Sequence, residues 1–96
     1  MKRNDFQSIK EILREVLKEE RFRTKLGEAK IIEHWATAVG DIMAKETTRI
    51  YIKNRKLFVK INSPMAKNDL LYRRKELIKT LNNHVNDSII DDIIFI

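Results

Sequence analysis

Thr48-Arg49-Ile50-Tyr51-Ile52-Lys53-Asn54-Arg55-Lys56-Leu57-Phe58-Val59-Lys60-Ile61 reads as two strands about a tight turn. Each half alternates between apolar and polar residues, and a period of two sends successive side chains to opposite faces. With a loop of two or four residues, Tyr51 stands opposite Phe58, Ile50 opposite Val59 and Ile52 opposite Leu57. A three-residue loop would break that register. One face of the hairpin is then Ile50, Ile52, Leu57, Val59 and Ile61, a surface that must be buried. The other is Arg49, Tyr51, Lys53, Lys56, Phe58 and Lys60, where cations interleave with aromatic rings.

Working outward, Ser63-Pro64 marks a helix start, a serine N-cap followed by proline in the first turn. That helix is expected to run to about Asn83, with Ala66, Leu70, Leu71, Leu77, Ile78 and Leu81 along one stripe. Lys67 and Arg74 project towards the same stripe, against the pattern. Asn86-Asp87-Ser88 is a turn, and Ile89 to Ile96 reads as a third strand. On the other side of the hairpin, Glu28 to Val39 is expected to be a helix with Ile31, Ile32, Trp35, Ala36 and Val39 inward, and with Trp35 as a core residue. Gly40 ends this helix, since glycine accepts a left-handed conformation without steric cost. A short helical turn follows through Ile42, Met43 and Ala44.

A first helix is expected over Phe6 to Glu20, burying Phe6, Ile9, Ile12, Leu13, Val16 and Leu17. Arg21 to Gly27 reads as a connection, because glycine weakens a helix interior. The order is α-α-β-β-α-β, an α+β fold in one domain spanning residues 1–96. A chain of this size is marginally stable, so most of its aliphatic residues are expected in the core.

Several chemistries are excluded. There is no cysteine, which removes disulfides and thiolate metal sites. His34 and His84 have no metal-ligand spacing, Gly27 and Gly40 form no phosphate loop, and Ser8, Ser63 and Ser88 lie in no nucleophile context. Asp91 and Asp92 are neighbours on a strand and point to opposite faces, so they form no acid–base pair. A non-enzyme without metal or cofactor is expected. The basic start, Met1-Lys2-Arg3-Asn4-Asp5, leads into no apolar segment of signal-peptide type, and no run is long enough to span a bilayer. A cytoplasmic location is the plain reading.

The chain carries a net charge of +6, and residues 45–79 alone carry +8. Arg49, Lys53, Lys56 and Lys60 share a hairpin face with Tyr51 and Phe58, Arg55 is at the tip, and Lys67, Arg73, Lys75 and Lys79 follow on the next helix. Cations that neutralise phosphates and release counterions, beside rings that stack on bases, are the footprint of a nucleic-acid site. The alternative is a solvated face that keeps a small domain soluble.

Trp35-Ala36-Thr37-Ala38-Val39-Gly40, the hairpin from Ile50 to Val59, Ser63-Pro64 with Leu70, and Leu81-Asn82 before a last strand together resemble the DciA family of bacterial proteins. Arg74 is similar to a recurrent arginine of its short members. The resemblance covers nearly the whole chain. It implies a KH-like fold, a small three-stranded sheet with helices on one face. It also implies a replication role, binding DNA and assisting the replicative helicase. There is no Gly-x-x-Gly loop, so other residues must hold the nucleic acid. If the family pattern places Ile93 and Phe95 inward, Ile94 and Ile96 join Tyr51 and Phe58 as a stacking or interface patch, suited also to a homodimer. The reading is therefore a DNA-binding replication accessory. Its rivals are an RNA-binding KH-like module and a protein–protein adaptor whose basic face meets an acidic partner.

Overall fold

In the computed structural model, which describes residues 3–96, the hairpin closes through Asn54 and Arg55 at φ 50° and 64°. Met1 and Lys2 lie outside the described residues. Two successive left-handed residues make the type I′ turn, whose twist matches that of the flanking strands. The loop has two residues, so the alternation falls into register: β1 (Thr47–Lys53) and β2 (Lys56–Ile61) pair antiparallel, with Tyr51 opposite Phe58, Ile50 opposite Val59 and Ile52 opposite Leu57. The third strand, β3 (Asp92–Phe95), runs parallel to β2, giving the sheet order β1-β2-β3. Ile93 stands beside Leu57 and Phe95 beside Val59, and all four are buried.

Four helices cover that buried face: α1 (Arg3–Val39), α2 (Asp41–Lys45), α3 (Pro64–Tyr72) and α4 (Arg74–His84). Ile31, Trp35 and Val39 of α1, Ala66 and Leu70 of α3, and Leu77 and Leu81 of α4 meet the sheet in one core. The architecture is α+β with a mixed three-stranded sheet. Its order is helix-helix-strand-strand-helix-strand when α3 and α4 count as one interrupted helix.

The joints follow from local chemistry. Trp35 is buried, and its indole N–H donates to Thr47 Oγ1 at 3.1 Å, which in turn donates to the Met43 carbonyl at 3.2 Å. Gly40 separates α1 from α2 at φ 90°, ψ 162°, a conformation reserved almost entirely for glycine. Ser63 Oγ accepts from the Ala66 amide and Pro64 opens α3, as the N-cap rule expects. The helix expected to run unbroken to Asn83 is interrupted at Arg73, whose guanidinium donates to the Ala38 carbonyl near the end of α1 at 3.2 Å. Leu71 lies just before that break and is exposed, so it leaves the expected stripe. The last strand is shorter than expected. Ile89 and Ile90 are buried but outside the ladder, because Asn82 occupies their backbone groups.

The largest departure is at the start. The two expected helices are one helix of 37 residues, and Arg21 to Gly27 is helical. Gly27 does not break α1. It is the point where Ile89 comes so close that a Cβ would lie 2.8 Å from Ile89 Cγ1 and Cδ1. Arg23 ties the same level to the β3 approach by pairing with Glu20 and Asp87. The Glu20 hydrogen bond, with the charge of Asp87, raises the Arg23 pKa above its ordinary value. N-terminal to this level, α1 leaves the body, which is why the molecule measures 64 × 22 × 19 Å. Phe6, Ile9, Ile12, Leu13, Val16 and Leu17 are therefore exposed and not core residues. Among the described residues, no helix is long and apolar enough to cross a membrane.

Candidate nucleic-acid interface

The helices occupy one face of the sheet and leave the other open. On the open face the register aligns Tyr51, Phe58 and Ile94 across all three strands. The Tyr51 and Phe58 rings stack nearly parallel, 4.9 Å between centroids at 9°. A stacked cross-strand aromatic pair is a stable, flat element that needs no helix to hold it. Arg49 lies over the Tyr51 ring at 4.9 Å, within cation–π range. The amide of Ile96 donates to the Val59 carbonyl, and its carbonyl accepts from the Ile61 amide. Ile96 thus sits beside Lys60 and extends the apolar row, and it is half exposed.

Cations flank the row at both ends. Arg49 pairs in register with Lys60 on one side, and Lys53 with Lys56 on the other. Among the described residues, Arg49, Lys53 and Lys60 form no ion pair. Three cations without local compensation beside the half-buried Tyr51 and Phe58 rings make a positive, partly apolar platform.

The hairpin tip is different. The Arg55 guanidinium donates to the Ser88 carbonyl at 2.9 Å and to Ser88 Oγ at 3.1 Å, and it pairs with Asp91 at 3.5 Å. Its carbonyl also accepts from the Asp91 amide. Arg55 therefore fastens the approach to β3 onto the turn. Asp91 also pairs with Lys56 at 3.6 Å, and Asp92 stands opposite Lys56 in register and meets Arg74 at 3.8 Å. This acidic pair was missed as part of the site. Its signal was present: an Asp-Asp step opening a strand that runs parallel to β2 must fall at the turn end of the hairpin.

The remaining basic residues belong to another surface. Lys67 is on α3 and Lys75 and Lys79 are on α4, in the layer on the far side of the sheet from Tyr51 and Phe58. Arg73 is half-buried, held by Ala38 and Asp69. Linear sequence joined the hairpin and helix cations into one stretch, and the fold divides them.

His34 and His84, from α1 and α4, stack at 3.6 Å between centroids and 7°. Among the described residues no group of three His, Asp or Glu side chains could hold a metal ion.

A family model described as Dna[CI] antecedent, DciA, matches residues 8–95. The chain belongs to the DciA family. No curated protein and no solved structure shows a significant match. Membership of the DciA family implies a helicase-loader-like role in DNA replication, with the replicative helicase as the associated partner; it is not a known enzyme family. In this DciA chain the Trp35–Gly40 segment is the end of α1 with its glycine joint, anchored by the buried Trp35 and Val39 with Ala36 exposed, and Leu81-Asn82 is the bracket that sets the path into β3.

Proposed function

We propose that this DciA-family protein is a non-enzymatic, cytoplasmic replication accessory that binds DNA on the open face of its sheet and acts with the replicative helicase. One observation carries the reading: the uncovered Tyr51–Phe58–Ile94 row lies between Arg49 and Lys60 at one end and Lys53 and Lys56 at the other. Phosphates meet the cations, and the apolar row receives sugars or bases. Phosphate contacts supply affinity but little base information, so recognition is weakly dependent on sequence. Four such contacts give a log K against log salt slope of roughly −3 to −4 on duplex DNA, and a shallower slope on single strands.

Competition binding with duplex DNA, single-stranded DNA and RNA tests the ligand class. DNA is expected to compete in preference to RNA at equal salt. A preference for RNA would make the chain an RNA-binding module. Helicase binding that survives nuclease and high salt, with no nucleic-acid binding, would make it an adaptor. Self-association through Ile94 and Ile96 would use the same face. Changing both to serine then shifts a sedimentation profile towards monomer if the open face also serves a homodimer.

A further inference from the structure

The sheet has two outer edges, β1 and β3, and they are not alike. The Ile96 amide donates to the Val59 carbonyl and the Ile61 amide donates to the Ile96 carbonyl, so the backbone groups of Val59 and Ile61 face β3. Those of Phe58 and Lys60 therefore face β1, where their register partners are Tyr51 and Arg49. The amides and carbonyls of Ile50 and Ile52 then point away from the sheet, and among the described residues they have no partner. The same two side chains are only half-buried, whereas Val59 and Leu57 beside them are fully buried. The helix layer stops short of β1. At the other edge β3 has 4 residues against the 7 of β1, and its outward Ile93 amide already donates to the Asp92 carboxylate at 2.8 Å.

We propose that the β1 edge takes an extended, acidic polypeptide segment of a partner protein as a further strand. Charge selects the occupant. Arg49 and Lys53 flank Ile50 and Ile52, both exposed and neither in an ion pair among the described residues. Asp91 and Asp92 lie at the β3 side, and Glu46 lies beyond the bulge between Thr47 and Arg49. A second copy is disfavoured, because β1 paired antiparallel with itself about Tyr51 sets Arg49 opposite Lys53, and like charges directly opposite are destabilising. Charged side chains on an edge strand ordinarily discourage pairing. An acidic strand turns these two into cross-strand ion pairs. An extended peptide also supplies the row of amides and carbonyls that the edge needs.

The register specifies the segment. Residues opposite Ile50 and Ile52 are apolar and cover the uncovered part of both isoleucines. Residues opposite Arg49 and Lys53 are acidic. Side chains alternate between faces, so the pattern is acidic, apolar, any, apolar, acidic.

The probe is a labelled peptide, Thr-Glu-Val-Thr-Val-Glu-Thr, with a lysine-for-glutamate counterpart, each added to the full chain without nucleic acid. Its pattern is the same from either end, so it presupposes neither parallel nor antiparallel pairing. The acidic peptide is expected to bind about tenfold tighter or more, since two favourable pairs replace two repulsions. It is also expected to slow the hydrogen exchange of the Ile50 and Ile52 amides, followed by NMR, because both gain an acceptor. Unchanged exchange at both amides with the acidic peptide at high micromolar concentration would overturn the proposal, whether the peptide fails to bind or lies on the open face by charge alone. Equal affinity for the two peptides would overturn it too. So would protection of both amides that rises with protein concentration alone, which would assign the edge to a second copy. Arg49→Glu combined with Lys53→Glu is expected to reverse the preference towards the lysine peptide. An unreversed preference, in a variant whose melt matches the parent, would contradict the choice of an acidic occupant. None of these readouts depends on nucleic-acid binding.

Discussion

Asn82 shows how much of the path into β3 depends on one side chain. Its carboxamide oxygen accepts from the Ile89 and Ile90 amides at 3.0 and 3.1 Å, and its nitrogen donates to the Ile90 carbonyl at 2.8 Å. Both isoleucines are buried, so removing the amide leaves backbone groups without water or partner. Asn82→Ala is expected to destabilise the protein by about 3 kcal/mol or more, since three backbone groups lose their partner and each buried unpaired group costs about 1–3 kcal/mol. Asn82→Asp, which keeps the acceptors and loses the donor, should cost less. Urea denaturation of the two variants checks this, and equal costs would show that the donor carries the bracket. Such a role was not legible in sequence, where Leu81-Asn82 stood out only as part of a resemblance. A polar residue near a helix end has many possible partners, and only the fold selects one. Arg55 teaches the same lesson from the other side. As a cation at a hairpin tip it read as a ligand contact, but its turn position aims it at Ser88 and Asp91.

At the scale of elements, alternation and turn chemistry determined the hairpin, because a buried face tolerates only one register. Ser63-Pro64 was equally legible, since N-capping is local. Periodicity revealed which face of α1 is apolar but not whether anything covers it, and so the stripe from Phe6 to Leu17 was assigned to a core that lies further along the helix. Gly27 compounded the error. A glycine in a helical pattern can mark a break or a close approach, and here it is a close approach to Ile89. The two meanings predict opposite results. In an exposed helix interior, alanine stabilises relative to glycine by roughly 1 kcal/mol. Overpacking a buried contact costs about 1–3 kcal/mol. Gly27→Ala is therefore expected to lower stability by about 1 kcal/mol or more in a thermal or urea melt. A gain in stability would mean that Ile89 yields easily and that the contact does not fix the angle between α1 and the approach to β3.

Over the whole molecule, the fold converts one basic stretch of sequence into two surfaces. The net charge of +6 speaks only of general attraction to polyanions, and composition could not say which lysines act together. The sheet separates Arg49, Lys53 and Lys60, beside the Tyr51–Phe58 pair, from Lys67, Lys75 and Lys79 in the helix layer. That division allows a controlled comparison. Reversing Arg49, Lys53 and Lys60 to glutamate, or Lys67, Lys75 and Lys79 to glutamate, changes each of three charges by two units and takes the net charge from +6 to 0 in both cases. Fluorescence anisotropy with a labelled DNA at fixed low salt, on variants whose melts match the parent, is the direct test of the open face as the DNA site. The first variant is expected to lose about 100-fold or more in affinity, as lost phosphate contacts and introduced repulsion require, and the second to lose far less. Equal losses would mean that only the overall field matters, and a larger loss from the helix-layer variant would contradict the open-face site outright.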